Sequence, residues 1–284
     1  MTTQSEAVRS ETRDERPEIR PTGLLRQSLA ITRRNLIHIK RMPEMLLDVT
    51  IQPVMFVLLF ALVFGGSIKT SSENGYNEWI MAGIMGQTIA FSSFVVAVGL
   101  TADLDKGIVD RMRSLPINSS AVLVGRSISS LMHSSIGIVV MSVTGLIIGW
   151  RIRDGFLDAV LAYALMLLWG FSMIWVGIWV GSAMRSVEAV NGLMFATMFP
   201  ITFVANTFAP TENMPDWLQT IAEWNPISSL VQACRELWGN TPPLGDDAAL
   251  PLQYPVISTV LWTIAITAVV APLAIRSFRR RTQD

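Results

Sequence analysis

Charge is scarce in this chain. Only 15% of its 284 residues are Asp, Glu, Lys or Arg, against 51% hydrophobic, whereas soluble domains run near a quarter charged. A water-facing surface over the whole chain is excluded by that shortage. Cysteine is scarcer still. The single Cys234 rules out an internal disulfide framework and a thiolate cluster for a metal, and it reads as a small apolar side chain packed in a helix. The polar, mixed-charge N-terminus has no apolar stretch of the signal-peptide kind, so the first hydrophobic segment stays in the mature protein. Residues 1–21 read as a disordered cytoplasmic tail.

Catalytic motifs are missing as well. Gly66-Ser67-Ile68-Lys69-Thr70 lacks the glycine before lysine that a phosphate loop needs, and H-E-x-x-H, G-x-S-x-G and C-x-x-C do not occur. His38 and His133 are far apart and have no carboxylate near them in sequence. No catalytic residue, metal site, resident cofactor or nucleic-acid partner is expected. His133 lies within an apolar run, where an ionisable group is a functional candidate by default; interhelical hydrogen bonding is the favoured reading.

What the chain does have is long apolar runs. A charge at the bilayer centre costs about 2.5–3.5 kcal/mol, so charge-free runs mark membrane spans. Six occur, 49–68, 79–102, 127–150, 159–184, 189–211 and 248–275, each 20 to 28 residues long, against about 18 for a spanning candidate. The expected fold is an all-α membrane protein with six transmembrane helices over about 45–68, 79–102, 126–150, 157–182, 189–208 and 253–275. With the N-terminus inside, the segments on that side hold 18 of the 22 Lys and Arg, which predicts that both termini are cytoplasmic; the expected location is a bacterial inner membrane. The basic tail 276–284, with Arg276, Arg279, Arg280 and Arg281 directly after the last span, anchors that end. Arg151 and Arg153 stand against the bias. The charge-free interiors also speak against an ion-coupled carrier, which places Asp, Glu or His near mid-membrane; Gln87, His133, Asn191 and Asn206 are the strongest polar groups there.

Three segments outside the spans carry their own pattern. Over 24–42, Leu25, Leu29, Thr32, Leu36 and Ile39 share a helical face flanked by Arg26, Arg33, Arg34, Lys40 and Arg41. This predicts a helix lying in the headgroup plane and ended by Pro43. Residues 103–126 mix Asp103, Asp105 and Asp110 with Lys106, Arg111 and Arg113 around Ile108, Val109, Met112 and Leu115. Gly107 permits a sharp turn and Pro116 stops the helix, which suits a short amphipathic helix docking on another protein. The acidic stretch from Phe208 to Tyr254 predicts two short helices, about 216–224 and 227–238, separated by Asn225-Pro226. Trp217, Trp224 and Trp238 suggest that these helices dip into the outer leaflet.

In this order the motifs resemble the permease subunit of ABC-2-type exporters, and within them the daunorubicin/doxorubicin-resistance permeases. The resemblance runs from about Lys40 to Arg281. It is carried by Lys40-Arg41-Met42-Pro43-Glu44, Asp48-Val49-Thr50, Pro53-Val54-Met55-Phe56-Val57 and Phe64-Gly65-Gly66. Further on it rests on Asp105-Lys106-Gly107, Asp110-Arg111, Arg113-Ser114-Leu115-Pro116, Pro200, Asn206, Met214-Pro215-x-Trp217-Leu218 and Asn225-Pro226. It implies an ABC-2 transmembrane domain over 22–275, a second copy of the permease, and two copies of a separate ATPase that binds ATP and Mg. It also implies that Asp103, Asp105, Lys106, Gly107, Asp110, Arg111, Arg113, Leu115 and Pro116 couple to that ATPase, and that an amphipathic drug or antibiotic leaves between the two permeases. A lipid, polyketide or polysaccharide precursor is the alternative cargo, and a membrane-embedded enzyme the alternative class. Asp103 and Asp105 stand where many ABC-2 permeases have glutamate. Phe156, Tyr163, Trp169, Trp175 and Trp179 along the fourth span read as packing before they read as a drug site.

Overall fold

The computed structural model describes residues 51–64, 72, 75–107, 119–245 and 248–281. The tail 1–21 and the interfacial helix expected over 24–42, with Arg26, Arg33, Arg34, Lys40 and Arg41, lie outside those residues. So do Asp110, Arg111, Arg113, Leu115 and Pro116.

Every regular element among the described residues is helical. α1 (Ile51–Leu59) runs into a π-helical turn over Phe60–Phe64. It is followed by α2 (Tyr76–Asp105), α3 (Ser119–Ile147), α4 (Phe156–Ala183) and α5 (Val187–Val204). Two short helices, α6 (Asp216–Glu223) and α7 (Pro226–Leu237), precede α8 (Pro255–Arg281). α2, α3, α4, α5 and α8 are long and apolar enough to cross a membrane. The expected six spans therefore number five among the described residues. The apolar stretch Ile51–Val63 is shorter, and the residues before it are not described.

The expected loop 103–126 also contracts. α2 continues to Asp105 and α3 starts at Ser119, because charge-based limits cut a helix at its first charged side chain. Asp103 and Arg126 face each other across the two helices, Nη1 to Oδ2 at 2.5 Å, so each offsets the other's desolvation and both helices keep their end turns.

α2 is the centre of the bundle, buried along most of its length. Its principal neighbour is α4, and the two backbones approach through small residues. A Cβ on Gly177 would lie 2.3 Å from Ser93 O, and one on Gly181 would lie 2.6 Å from Ala97 O. Gly177-x-x-x-Gly181 against Ser93-x-x-x-Ala97 is the small-residue seam that lets membrane helices pack closely where no hydrophobic effect drives them together. Trp169 and Trp175 of α4 are buried in the packing while Phe156 is exposed. α8 lies on α4, and α7 is wedged among α2, α4 and α8. Most of α3, α5 and α8 faces outward with apolar side chains such as Val139, Phe195, Leu261 and Val269.

Candidate functional site

The long helices α2 to α5 reverse direction from one to the next and collect charged side chains at two ends, with an apolar bundle between them. At the first end lie the start of α2, the α3–α4 connection and α7. The α3–α4 connection is short, and Gly149 holds a left-handed φ of 103° in it. Glu78, 2% exposed, accepts a forked bond from Arg153 at 2.6 Å from Nη2 and at 3.0 and 3.2 Å from Nε. Hydrogen bonding to Glu78 pushes the Arg153 pKa up. Asn240 Nδ2 donates to Arg151 O at 2.8 Å, and Asn240 Oδ1 accepts from Trp150 Nε1 at 2.8 Å. Arg151 donates to the carbonyls of Leu146 and Trp150 at 2.6 and 2.8 Å, a basic side chain capping the C-terminus of α3. The two arginines that broke the charge bias thus have structural partners.

Beside them, within the acidic stretch, sits a buried cation. Arg235 of α7 is 1% exposed. It donates to Trp79 O at 2.9 Å and Asn206 O at 2.8 Å, with a longer approach to Thr207 O at 3.5 Å. Its guanidinium carbon lies 3.5 Å from the Trp79 ring centroid. Burial pushes its pKa down, and carbonyl dipoles with an aromatic face take the place of water around the charge. The same turn presses on α2, where a Cβ on Gly83 would fall 2.1 Å from Thr207 O.

The segment expected to dip into the membrane folds as two helices with the expected break. Asn225 caps α7, its Oδ1 accepting from Ile227 N at 2.9 Å and its Nδ2 donating to Ile201 O at 2.7 Å. Pro226 takes the first helical position, where no amide donor is needed. Met214 and Pro215 lead into α6. Trp217 is 67% exposed, whereas Trp238 is fully buried. Trp238 therefore anchors the bundle, packing edge-on to Trp150 at 5.0 Å. It is not the interface residue that was expected, because α7 turns into the helices, whereas Trp217 and Trp224 stay on the surface of the bundle.

At the opposite end lie four of the residues expected to couple to a partner. Asp103 pairs with Arg126. Asp105, the last residue of α2, pairs with Arg281 at 2.7 Å. Lys106 follows as the exposed C-cap, and Gly107 adopts a left-handed φ of 64° that a side chain would resist. Arg281 also donates to the carbonyls of Gly181 and Met184. Of the polar groups noted within the apolar runs, Gln87 and Asn206 are buried, Asn191 is exposed and His133 is half-buried at mid-length of α3. Among the described residues no group of three or more His, Cys, Asp or Glu could hold a metal.

Comparison with known proteins places the chain in a family. The ABC-2 type transporter family matches residues 26–237. The daunorubicin resistance ABC transporter permease protein DrrB1 of Streptomyces coeruleorubidus is 30% identical over 249 residues, covering 87% of this chain and 84% of that protein. The probable doxorubicin resistance ABC transporter permease protein DrrC of Mycobacterium tuberculosis is 24% identical, covering 89% and 88%. A putative transport permease, ycf38, of Porphyra purpurea is 25% identical, covering 79% and 78%. With apolar helices on the outside, polar clusters at the two ends and a family match over most of its length, the chain belongs to the ABC-2 type transporter family as a multi-pass membrane permease.

Proposed function

We propose that this chain is the membrane half of an ATP-driven exporter that moves amphipathic drugs or antibiotics outward. It works as two copies with two copies of a separate ATPase, which binds ATP and Mg. The observation that carries the cargo is the kinship, over more than four-fifths of both chains, with a permease named for daunorubicin resistance. The apolar stretch beginning at Ile51 supplies the sixth span, both termini are cytoplasmic, and α6 and α7 re-enter from the outer face. The Lys and Arg distribution supports that orientation.

In this reading the Asp105 end faces the cytoplasm, and residues 103–116 dock on the ATPase. ATP-driven closure pushes that segment and the N-terminal interfacial helix, the two bundles rock, and the cargo leaves between them. Replacing Arg111 and Arg113 together with Glu turns a balanced docking segment, three cations against three anions, into an acidic one. The double variant is expected to lose co-purification with the ATPase and to lose daunorubicin efflux. ATP-driven efflux at the wild-type rate in that variant would remove the docking assignment. The second reading is export of a lipid, polyketide or polysaccharide precursor; one relative is named only as a putative transport permease, with no drug in its name. That reading predicts wild-type drug sensitivity in a strain lacking the chain.

A further inference from the structure

One arginine joins three helices at the Asp105 end. Arg281, the last residue of α8, donates from Nη2 to Asp105 Oδ1 at 2.7 Å and from the same nitrogen to Arg185 O at 3.4 Å. Its Nη1 donates to Gly181 O at 3.2 Å and to Met184 O. Gly181 and Met184 close the C-terminal turn of α4, where the unpaired carbonyls and the negative end of the helix dipole favour a cation. Gly181 O is also held from the α2 side, by Thr101 Oγ1 at 2.9 Å. One turn back along α8, Phe278 is buried in a cluster with Val96 and Leu100 of α2 and Ile174 and Ile178 of α4. Just past the α4–α5 turn, Ser186 Oγ accepts from Ala189 N at 3.2 Å and caps the start of α5. The end of α2, the tip of α8 and the α4–α5 turn are thereby fastened at one point.

We propose that Arg281 is a positioning residue that carries displacement of the α2 end to the α4–α5 turn. The inference rests on the reading that the segment after Asp105 docks the ATPase. Asp105 draws the guanidinium toward α2, while the carbonyls of Gly181, Met184 and Arg185 hold it over α4. A pull on Asp105 therefore shifts the cap of α4 and with it the first turn of α5. A cap alone would need the carbonyls and not Asp105. A tether alone would need Asp105 and not the carbonyls. Carrying displacement needs both.

The test is hydrogen–deuterium exchange on the complex co-purified with its ATPase in lipid nanodiscs, with and without Mg-ATP. In the wild type, ATP is expected to change exchange both in 106–118 and in 181–187. In Arg281→Gln and in Asp105→Asn the change at 181–187 is expected to fall about five-fold or more, while that at 106–118 persists. Arg280→Gln, exposed one residue away, is expected to match the wild type. Should Arg281→Gln not accumulate, Asp105→Asn leaves the α4 cap in place and carries the test alone. A full nucleotide response at 181–187 in Asp105→Asn, or none there in the wild type beside a response at 106–118, overturns the role of Arg281 and leaves the docking reading standing. No wild-type response at 106–118 overturns the docking reading itself.

Discussion

Arg235 concentrates the chemistry of the residue scale. Its charge is buried with backbone carbonyls and an indole face as partners, so its removal strands acceptors and leaves a void. Each unsatisfied buried acceptor costs about 1–3 kcal/mol. Arg235→Ala is therefore expected to lower the melting temperature in detergent by several degrees. Arg235→Lys is expected to fall between, since ammonium keeps the charge but cannot fork to Trp79 and Asn206. A thermal-unfolding series with both variants checks the order. Its neighbour Cys234 is fully buried, and burial pushes its thiol pKa up, out of the usual thiol range. Because the thiolate is the nucleophile, a maleimide at pH 8 is expected to leave Cys234 unlabelled in the folded protein and to label it after denaturation.

At the scale of elements, the α2–α4 seam is where sterics leave least room. Gly177→Leu would drive a side chain into Ser93 O, and Gly181→Val into Ala97 O. Overpacking of this kind costs about 1–3 kcal/mol, and contact with backbone removes the option of rotating away. Either variant is expected to cut the yield of folded protein in size-exclusion profiles, whereas Gly192→Ala in α5, with nothing within 4 Å, is expected to be silent. At the other end of α4, Glu78 and Arg153 act as a pair. Glu78→Gln and Arg153→Gln are each expected to lower thermal stability, with the double variant falling short of the sum, as a double-mutant cycle reads directly.

The whole molecule presents apolar surface on α3, α5 and α8, which lipid or a second copy must cover. With both termini inside and Cys234 replaced by Ala, a cysteine at Pro243 is expected to react with a membrane-impermeant maleimide in intact cells. One at Arg280 should react only after lysis. The opposite pattern would invert the topology.

Scarcity of charge is a local property, so the all-helical, multi-pass character was legible from the order of residues alone. Asn225-Pro226 was legible too, because a capping side chain and a proline at the first helical position act within three residues. The family was readable because its motifs are short and ordered. Helix limits were not, since Asp103 lies in the last turn of α2 and Arg126 two turns into α3, paired with each other. The Gly177-x-x-x-Gly181 seam was written in the chain, but only packing reveals which helix it meets. Arg235, Glu78, Arg153 and Arg281 needed the tertiary structure. Arg153 lies 75 positions from Glu78, Arg235 lies 156 from Trp79 and 29 from Asn206, and Arg281 lies 176 from Asp105. Composition and periodicity decide that a helix is apolar, whereas the distance between two charges exists only once the helices have packed.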